Sequence, residues 1–120
     1  MTTTATLPAN TLGNLLAQYR ENTTIGERRS VARLLAAAFR ARYTISVNDG
    51  ECWTVKSSSS SDEITSALAT TGEDILLIRN RTGMSLGRIW LIWGNDADGS
   101  ELIADYNDEP EINRLVSNAR

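Results

Sequence analysis

The chain contains no histidine and only one cysteine, Cys52. Without histidine there is no Ser–His or Cys–His nucleophile pair, and the zinc sites that proteins build from Cys and His are excluded as well. A single cysteine cannot form an internal disulfide. Because no histidine is available to activate Cys52, we expect it to be a small filler residue and not a nucleophile. These absences favour a protein that needs no cofactor and is not an enzyme.

Long apolar runs are also missing. No stretch approaches the roughly 18 consecutive apolar residues that span a bilayer. The first ten residues, MTTTATLPAN, lack the basic start and the apolar segment of a secretory signal. We therefore expect a cytoplasmic protein, with residues 1–9 as a flexible tail and residues 10–120 as a single domain. A chain of 120 residues can bury one core but not two.

Two helices are predicted before the first strand. The first runs from Thr11 to Arg20 and has apolar residues at helical spacing, namely Leu12, Leu15, Leu16 and Tyr19. Thr24 and Glu27 then form a capping box, in which the threonine hydroxyl accepts from the backbone N–H of Glu27 and the glutamate carboxylate reaches back. This box predicts the start of the longest helix, which we expect to end near Arg42.

Five strands are predicted after these helices. They run through Tyr43–Val47, Glu51–Lys56, Asp74–Arg79, Ile89–Trp93 and Glu101–Tyr106. The first two alternate apolar and polar residues around the turn Asn48-Asp49-Gly50, which predicts a hairpin toward one edge of a sheet. A short helix capped at Ser60 separates the second and third strands, and a last helix, with Asp108 as its predicted N-cap, ends the chain.

The run Ile89-Trp-Leu-Ile-Trp93 predicts a central strand. A strand with one solvent-exposed face alternates apolar and polar residues, so an unbroken apolar run indicates that both faces of the strand are covered. Four helices can supply that cover in three layers, or one face can close against a second copy of the molecule. The expected fold class is α+β: two N-terminal helices, then ββαβββα, with a mostly antiparallel five-stranded sheet covered by helices.

The charge is distributed unevenly along the chain, although the net charge is only −3. Residues 20–42 hold six arginines and two glutamates, a balance of +4. Residues 91–120 hold seven acids and two arginines, a balance of −5. Such an asymmetry is the most informative feature for partners.

Two sets of candidate contact residues follow from this asymmetry. The basic stripe on the long helix comprises Arg28, Arg29, Arg33 and Arg40, and the acidic surface comprises Asp96, Asp98, Glu101, Asp105 and Asp108. A basic stripe is typical of the solvated face of an amphipathic helix, or of a contact surface for phosphates or for an acidic protein.

Alternative chemistry at the acidic residues is disfavoured. The loop around Asp96 and Asp98 fits part of a calcium-binding frame, but the first ligand position falls on Gly94, which has no side chain. We therefore expect no metal. Carboxylate catalysis by Asp105 with Asp108 would need a pocket that nothing in the sequence predicts.

The segment from Gly87 to Val116 resembles a segment of small accessory proteins of bacteriophages and other mobile elements. The resemblance rests on Ile89-Trp-Leu-Ile-Trp-Gly-Asn, followed by Leu102-Ile-Ala-Asp-Tyr-Asn-Asp and a short capped helix, about a quarter of the chain. It implies a bacterial host cell and a protein that acts by binding, for example by inhibiting host defence. No catalytic residues of that class can be transferred to this sequence.

The leading hypothesis is therefore a non-catalytic interaction protein. Its acidic surface would imitate phosphates and bind a basic or nucleic-acid-binding host protein. The alternative is a nucleic-acid-binding module that uses the basic stripe, because arginine suits phosphate recognition. The acidic pI of about 4.9 and the lack of aromatic residues among these arginines argue against that alternative. A homodimer is compatible with both hypotheses.

Overall fold

The computed structural model describes residues 23–94 and 98–120. The predicted tail, the predicted helix Thr11–Arg20 and Asp96 lie outside these residues. Eight elements follow one another in the described part: α1 Ile25–Arg40, β1 Thr44–Asn48, β2 Trp53–Ser58, α2 Ser61–Ala67, β3 Glu73–Arg79, β4 Ser85–Ile92, β5 Ile103–Tyr106 and α3 Pro110–Ala119. The predicted α+β class and the order ββαβββα after the long helix are confirmed. None of the helices in this part is long and apolar enough to cross a membrane.

The five strands form one sheet in the order β2-β1-β3-β4-β5. Every neighbouring pair is antiparallel, so β2 and β5 are the two edges. In the longest pairing, between β3 and β4, Ile75 lies opposite Trp90 and Leu77 lies opposite Arg88. Directly opposed residues share a face of the sheet, so this register determines which side chains lie together.

The core lies between one face of the sheet and the three described helices. On β3 and β4, the core face carries Leu76, Ile78, Ile89 and Leu91, all fully buried. Helix α1 adds Val31, Leu34, Leu35 and Ala38 to the same cluster. Burying a leucine or isoleucine side chain contributes about 1.5–3 kcal/mol, so this one-sided core supplies most of the favourable free energy of folding.

The start of α1 is fixed to the end of β4. The predicted capping box is confirmed, with Thr24 as N-cap and both of its hydrogen bonds formed. Glu27 is also fully buried, and its Oε1 accepts from the backbone N–H of Gly94 at 2.9 Å. Gly99 packs against the backbone of Gly26 in the same region. The Glu27 carboxylate therefore accepts a hydrogen bond from the distant Gly94 as well as from the N-cap of its own helix.

The predicted N-cap of α3 is wrong by one residue. Glu109 caps the helix, and its Oε1 accepts from the backbone N–H groups of Glu111 and Ile112, each at 2.9 Å. Pro110 occupies the first turn of the helix, and a residue before proline adopts extended backbone, so the cap falls on Glu109. Asp108 instead accepts from the Nδ2 group of Asn113 at 3.0 Å.

The described helices cover only one face of the sheet. The buried cluster contains residues from all three helices, but it does not include Ile75, Leu77 or Trp90 on the opposite face. Of the two alternatives for covering both faces of β4, helices or a second copy of the molecule, neither is decided, because the predicted helix Thr11–Arg20 lies outside the described part of the chain. The second face is the most distinctive surface of the domain.

Candidate interaction surface

The side of the sheet that no described helix covers is apolar at its centre. We call it the open face; its apolar residues are Trp53, Ile75, Leu77, Trp90 and Ile92, and the register also places Arg88 opposite Leu77 and Glu73 opposite Ile92 on this face. Ile92 is 38% exposed and the other four side chains are half-buried. Two of the chain's three tryptophans thus lie on a sheet face that no described helix packs against. Exposed apolar patches with aromatic residues mark interaction sites in soluble domains.

The open face has a positive charge toward its β2 side. Trp53 lies opposite Asn48 in the β1–β2 pairing. The guanidinium carbon of Arg88 lies 5.7 Å from the centroid of the Trp53 ring, which is a cation–π geometry. Arg88 extends from β4 across the face to reach this ring. Its charge is therefore held away from the β5 edge.

The β5 edge is acidic. Asp105 lies directly opposite Trp90 in the β4–β5 pairing, so an exposed carboxylate adjoins the open face. Asp98 and Glu101 are exposed in the segment that precedes β5, and Asp108 is exposed just after it. Only Asp105 is placed beside the open face by the strand pairing, and the other three acids flank β5 in the sequence. Among the described residues, neither Asp105 nor Asp108 forms an ion pair.

The basic stripe lies on the helix layer, on the other side of the sheet from the open face. Arg29, Arg33 and Arg40 are exposed, as predicted, whereas Arg28 is half-buried and its Nε donates to the Thr24 carbonyl at 3.4 Å. The Arg33 guanidinium donates to the carbonyl of Ala119 at 2.7 Å. The side chains of Arg28 and Arg33 therefore donate to backbone carbonyls at helix ends. Of the four arginines in the basic stripe, only Arg29 and Arg40 lack polar contacts within the described part.

The role of Arg33 depends on a tertiary contact that the sequence does not reveal. Ser30 also donates to the carbonyl of Ala119, at 2.9 Å, and the two donors together satisfy the C-terminal end of α3. Ala119 is 86 residues from Arg33 in the chain. The only signal in the sequence was helical spacing, which places Ser30 and Arg33 on neighbouring parts of α1.

A groove of about 210 Å³ lies between α1 and α3, beside Arg40. Its polar lining includes Tyr43, whose hydroxyl donates to Glu111 at 2.8 Å. Burial, and then that hydrogen bond, raise the pKa of Tyr43 to about 12. Arg114 also pairs with Glu111, at 2.7 Å. Since Glu111 already neutralises Arg114, the groove presents only Arg40 as a free cation.

The buried carboxyl of Asp74 has no access to a substrate. Its Oδ2 accepts from the Ala69 backbone N–H and from Nε1 of Trp93, both at 2.8 Å, and its Oδ1 has no partner. The side chain is fully buried, and burial raises its pKa to about 6. This environment is structural. No group of three or more acidic or cysteine residues in the described part could hold a metal ion.

No family model, curated protein or solved structure matches this chain. The class of protein is therefore defined by its own architecture: an α+β domain whose five-stranded antiparallel sheet has helices on one face and an apolar surface beside an acidic edge on the other. The resemblance of residues 87–116 to phage and mobile-element accessory proteins stays a prediction.

Proposed function

We propose that this protein is a non-catalytic interaction protein of the phage or mobile-element accessory kind. It binds a basic or nucleic-acid-binding host protein in the bacterial cell through the acidic surface and the adjoining open face. The observation that carries this proposal is the pairing of Trp90 with Asp105, which places an exposed carboxylate beside the apolar patch.

The two parts of this surface supply different contributions to binding. Half-buried tryptophans are the side chains most often found at the energetic centre of interfaces, because they bury large area at little entropic cost. Carboxylates at the rim contribute less affinity but accelerate encounter with a basic partner and exclude acidic ones. Asp105 lies beside Trp90 in such a position, and the exposed residues Asp98, Glu101 and Asp108 are proposed to extend this rim.

Reversing the charge of the acidic surface tests this proposal. We expect Asp105→Lys with Asp108→Lys to weaken capture of the host partner at least about tenfold, a loss of about 1.4 kcal/mol, because both rim carboxylates are removed and replaced by repulsive charges. The control is Glu51→Lys with Asp62→Lys, which makes the same charge change at exposed sites away from β5. Circular dichroism should show that both double variants remain folded. Equal capture by both would contradict the role of the acidic surface.

A second candidate function is supported by Arg29 and Arg40, which are exposed and have no polar partner among the residues that the structure describes. Two free arginines on one helix can contact phosphates, and such binding weakens steeply with salt. We expect no binding of a fluorescent DNA duplex at 150 mM salt, measured by anisotropy. Binding that disappears in Arg29→Gln with Arg40→Gln would favour this second function. Arg33 is unsuitable for that test because it caps α3.

A further inference from the structure

The chain enters α1 beside the end of β4. The backbone N–H groups of Thr24 and Gly94 both donate to the same oxygen of Glu27, each at 2.9 Å. These two backbone groups are therefore neighbours, and Gly94 follows Ile92 of the open face by two residues. The segment that precedes Thr24 thus joins the described part of the domain at the Ile92 end of the open face.

The predicted helix Thr11–Arg20 has the length of the apolar area on this face. Its ten residues would extend about 15 Å as a helix. On β4, the apolar area begins at Ile92 and ends where Arg88 crosses the face toward Trp53. At about 3.3 Å per residue, that part of the strand is about 13 Å long. Residues 21–23 span up to about 10 Å when extended, which equals the usual distance between packed layers. The predicted helix can therefore lie along β3 and β4.

The charges of the open face favour a nearly neutral occupant. The register places one base, Arg88, and one acid, Glu73, on this face, and Asp105 adds a carboxylate at its border. Residues 11–20 contain a single charged residue, Arg20, and their apolar residues are spaced as on one side of a helix. Such an apolar stripe needs no counter-ion from the face.

Both the predicted helix and the open face need a surface to pack against. A helix of ten residues is marginal in water unless its apolar side is buried, and Gly13 weakens it further. A segment held by a short tether has an effective concentration of about a millimolar. It therefore has an advantage over a second copy of the chain, which is present at micromolar concentration in solution.

We infer that the open face is the docking surface of the chain's own segment 11–20, which packs on it as a helix in the free protein. The residues that meet there are Leu12, Leu15, Leu16 and Tyr19 of the segment and Ile75, Leu77, Trp90 and Ile92 of the sheet. A host partner that uses the open face then displaces this segment. The displacement rests on the proposed function, whereas the docking does not.

Tryptophan fluorescence of full-length variants tests the docking. We expect Leu12→Glu with Leu16→Glu, the leucine variant, to shift the emission red. Its acrylamide quenching constant should rise about twofold, because the large ring of Trp90 loses its cover. The control variant is Asn14→Glu with Ala17→Glu, which adds the same charge on the opposite side of the predicted helix and should leave the emission unchanged. Circular dichroism checks that both variants remain folded.

Trp90 is the residue that locates the segment. Trp93 is buried and hydrogen-bonded, and Trp53 lies on β2, beyond the point where Arg88 crosses the face. In a Trp90→Phe background, the leucine variant should therefore lose most of its red shift. If the two glutamates unfold the domain, alanines at the same two leucines provide a milder variant for the same measurement.

Three results would overturn the docking. The first is equal emission and quenching of the leucine variant and the control variant, which would mean that the segment does not cover the face. The second is a leucine variant that melts earlier without a red shift, since the segment would then pack elsewhere. The third is a dimer in sedimentation whose dissociation shifts the Trp90 emission red, since a second copy would then be the occupant.

Capture of the host partner tests the displacement separately. We expect the leucine variant to capture the partner at least about threefold more tightly than the control variant, because the face is free in a larger fraction of molecules. Equal or weaker capture would contradict the displacement. The charge reversal at Asp105 and Asp108 still decides the proposed function. If that variant captured the partner in full, the proposed function would fail, whereas the fluorescence result would still decide the docking.

Discussion

Replacing Gly99 with alanine is expected to destabilise the domain by roughly 3 kcal/mol and to lower its Tm by about 10 °C. Gly99 has φ +82°, a conformation that side chains with a Cβ rarely adopt. An added Cβ would also lie 2.6 Å from the carbonyl carbon of Gly26, at the first turn of α1. Backbone strain and steric overlap therefore combine at the contact between α1 and the segment before β5. Differential scanning calorimetry measures the effect directly.

Two other glycines provide matched controls for Gly99. Gly83 has φ +88° but open space around it, so Gly83→Ala isolates the backbone strain and should cost only about 1 kcal/mol. Gly72 has neither a positive φ nor a close neighbour, so Gly72→Ala should have little effect. If Gly99→Ala melted no earlier than Gly83→Ala, the close contact between Gly99 and Gly26 would not exist in solution.

The second large effect concerns Asp74 and pH. Burial raises the pKa of this carboxyl to about 6, and the charges of Asp49 and Glu73 act in the same direction. The hydrogen bonds from Ala69 and Trp93 lower it but do not compensate. The pKa of an aspartate in the unfolded chain is about 3.9. Between these two values the folded state binds more protons than the unfolded state, so the Asp74 contribution to stability falls as pH rises.

We expect this contribution to lower the free energy of unfolding by about 2 kcal/mol between pH 4 and pH 7.5, so that the folded protein is more stable at the lower pH. Asp74→Asn should remove it, because one amide oxygen can still accept from both Ala69 and Trp93, which donate to the same oxygen in the native protein. Urea denaturation of the wild type and the variant across this range measures the difference between them.

Asp62→Asn serves as the control for the pH experiment, because Asp62 is exposed on α2. Its stability should follow the wild type at every pH. If the free energies of unfolding of Asp74→Asn and the wild type changed in parallel from pH 4 to pH 7.5, the carboxyl of Asp74 would have an ordinary pKa.

The local features of this fold could be predicted from the sequence. The capping box at Thr24 and Glu27, the Asn48-Asp49-Gly50 turn and the apolar run around Trp90 are signals within a few residues, and the structure contains all three features. The cap of α3 was misplaced by one residue. The decisive signal was also local, since Pro110 in the first turn assigns the cap to Glu109.

Contacts between distant segments could not be predicted. The second role of the Glu27 carboxylate depends on Gly94, which is 67 residues away in the chain, and Arg33 caps a helix at Ala119. The apolar run of β4 predicted that both faces are covered, whereas the described helices cover only one of them, because periodicity does not show what packs on each face. The acidic residues could be identified from the sequence, whereas the position of Asp105 beside Trp90 required the sheet register.

We propose that this domain binds a basic host protein through the acidic surface and the open face. The most direct test is a pull-down of the tagged full chain from bacterial lysate, with and without nuclease, beside the Asp105→Lys, Asp108→Lys variant. We predict a stoichiometric protein that survives nuclease treatment and is lost with the variant. Material that disappears with nuclease, or that the variant retains in full, would contradict the claim.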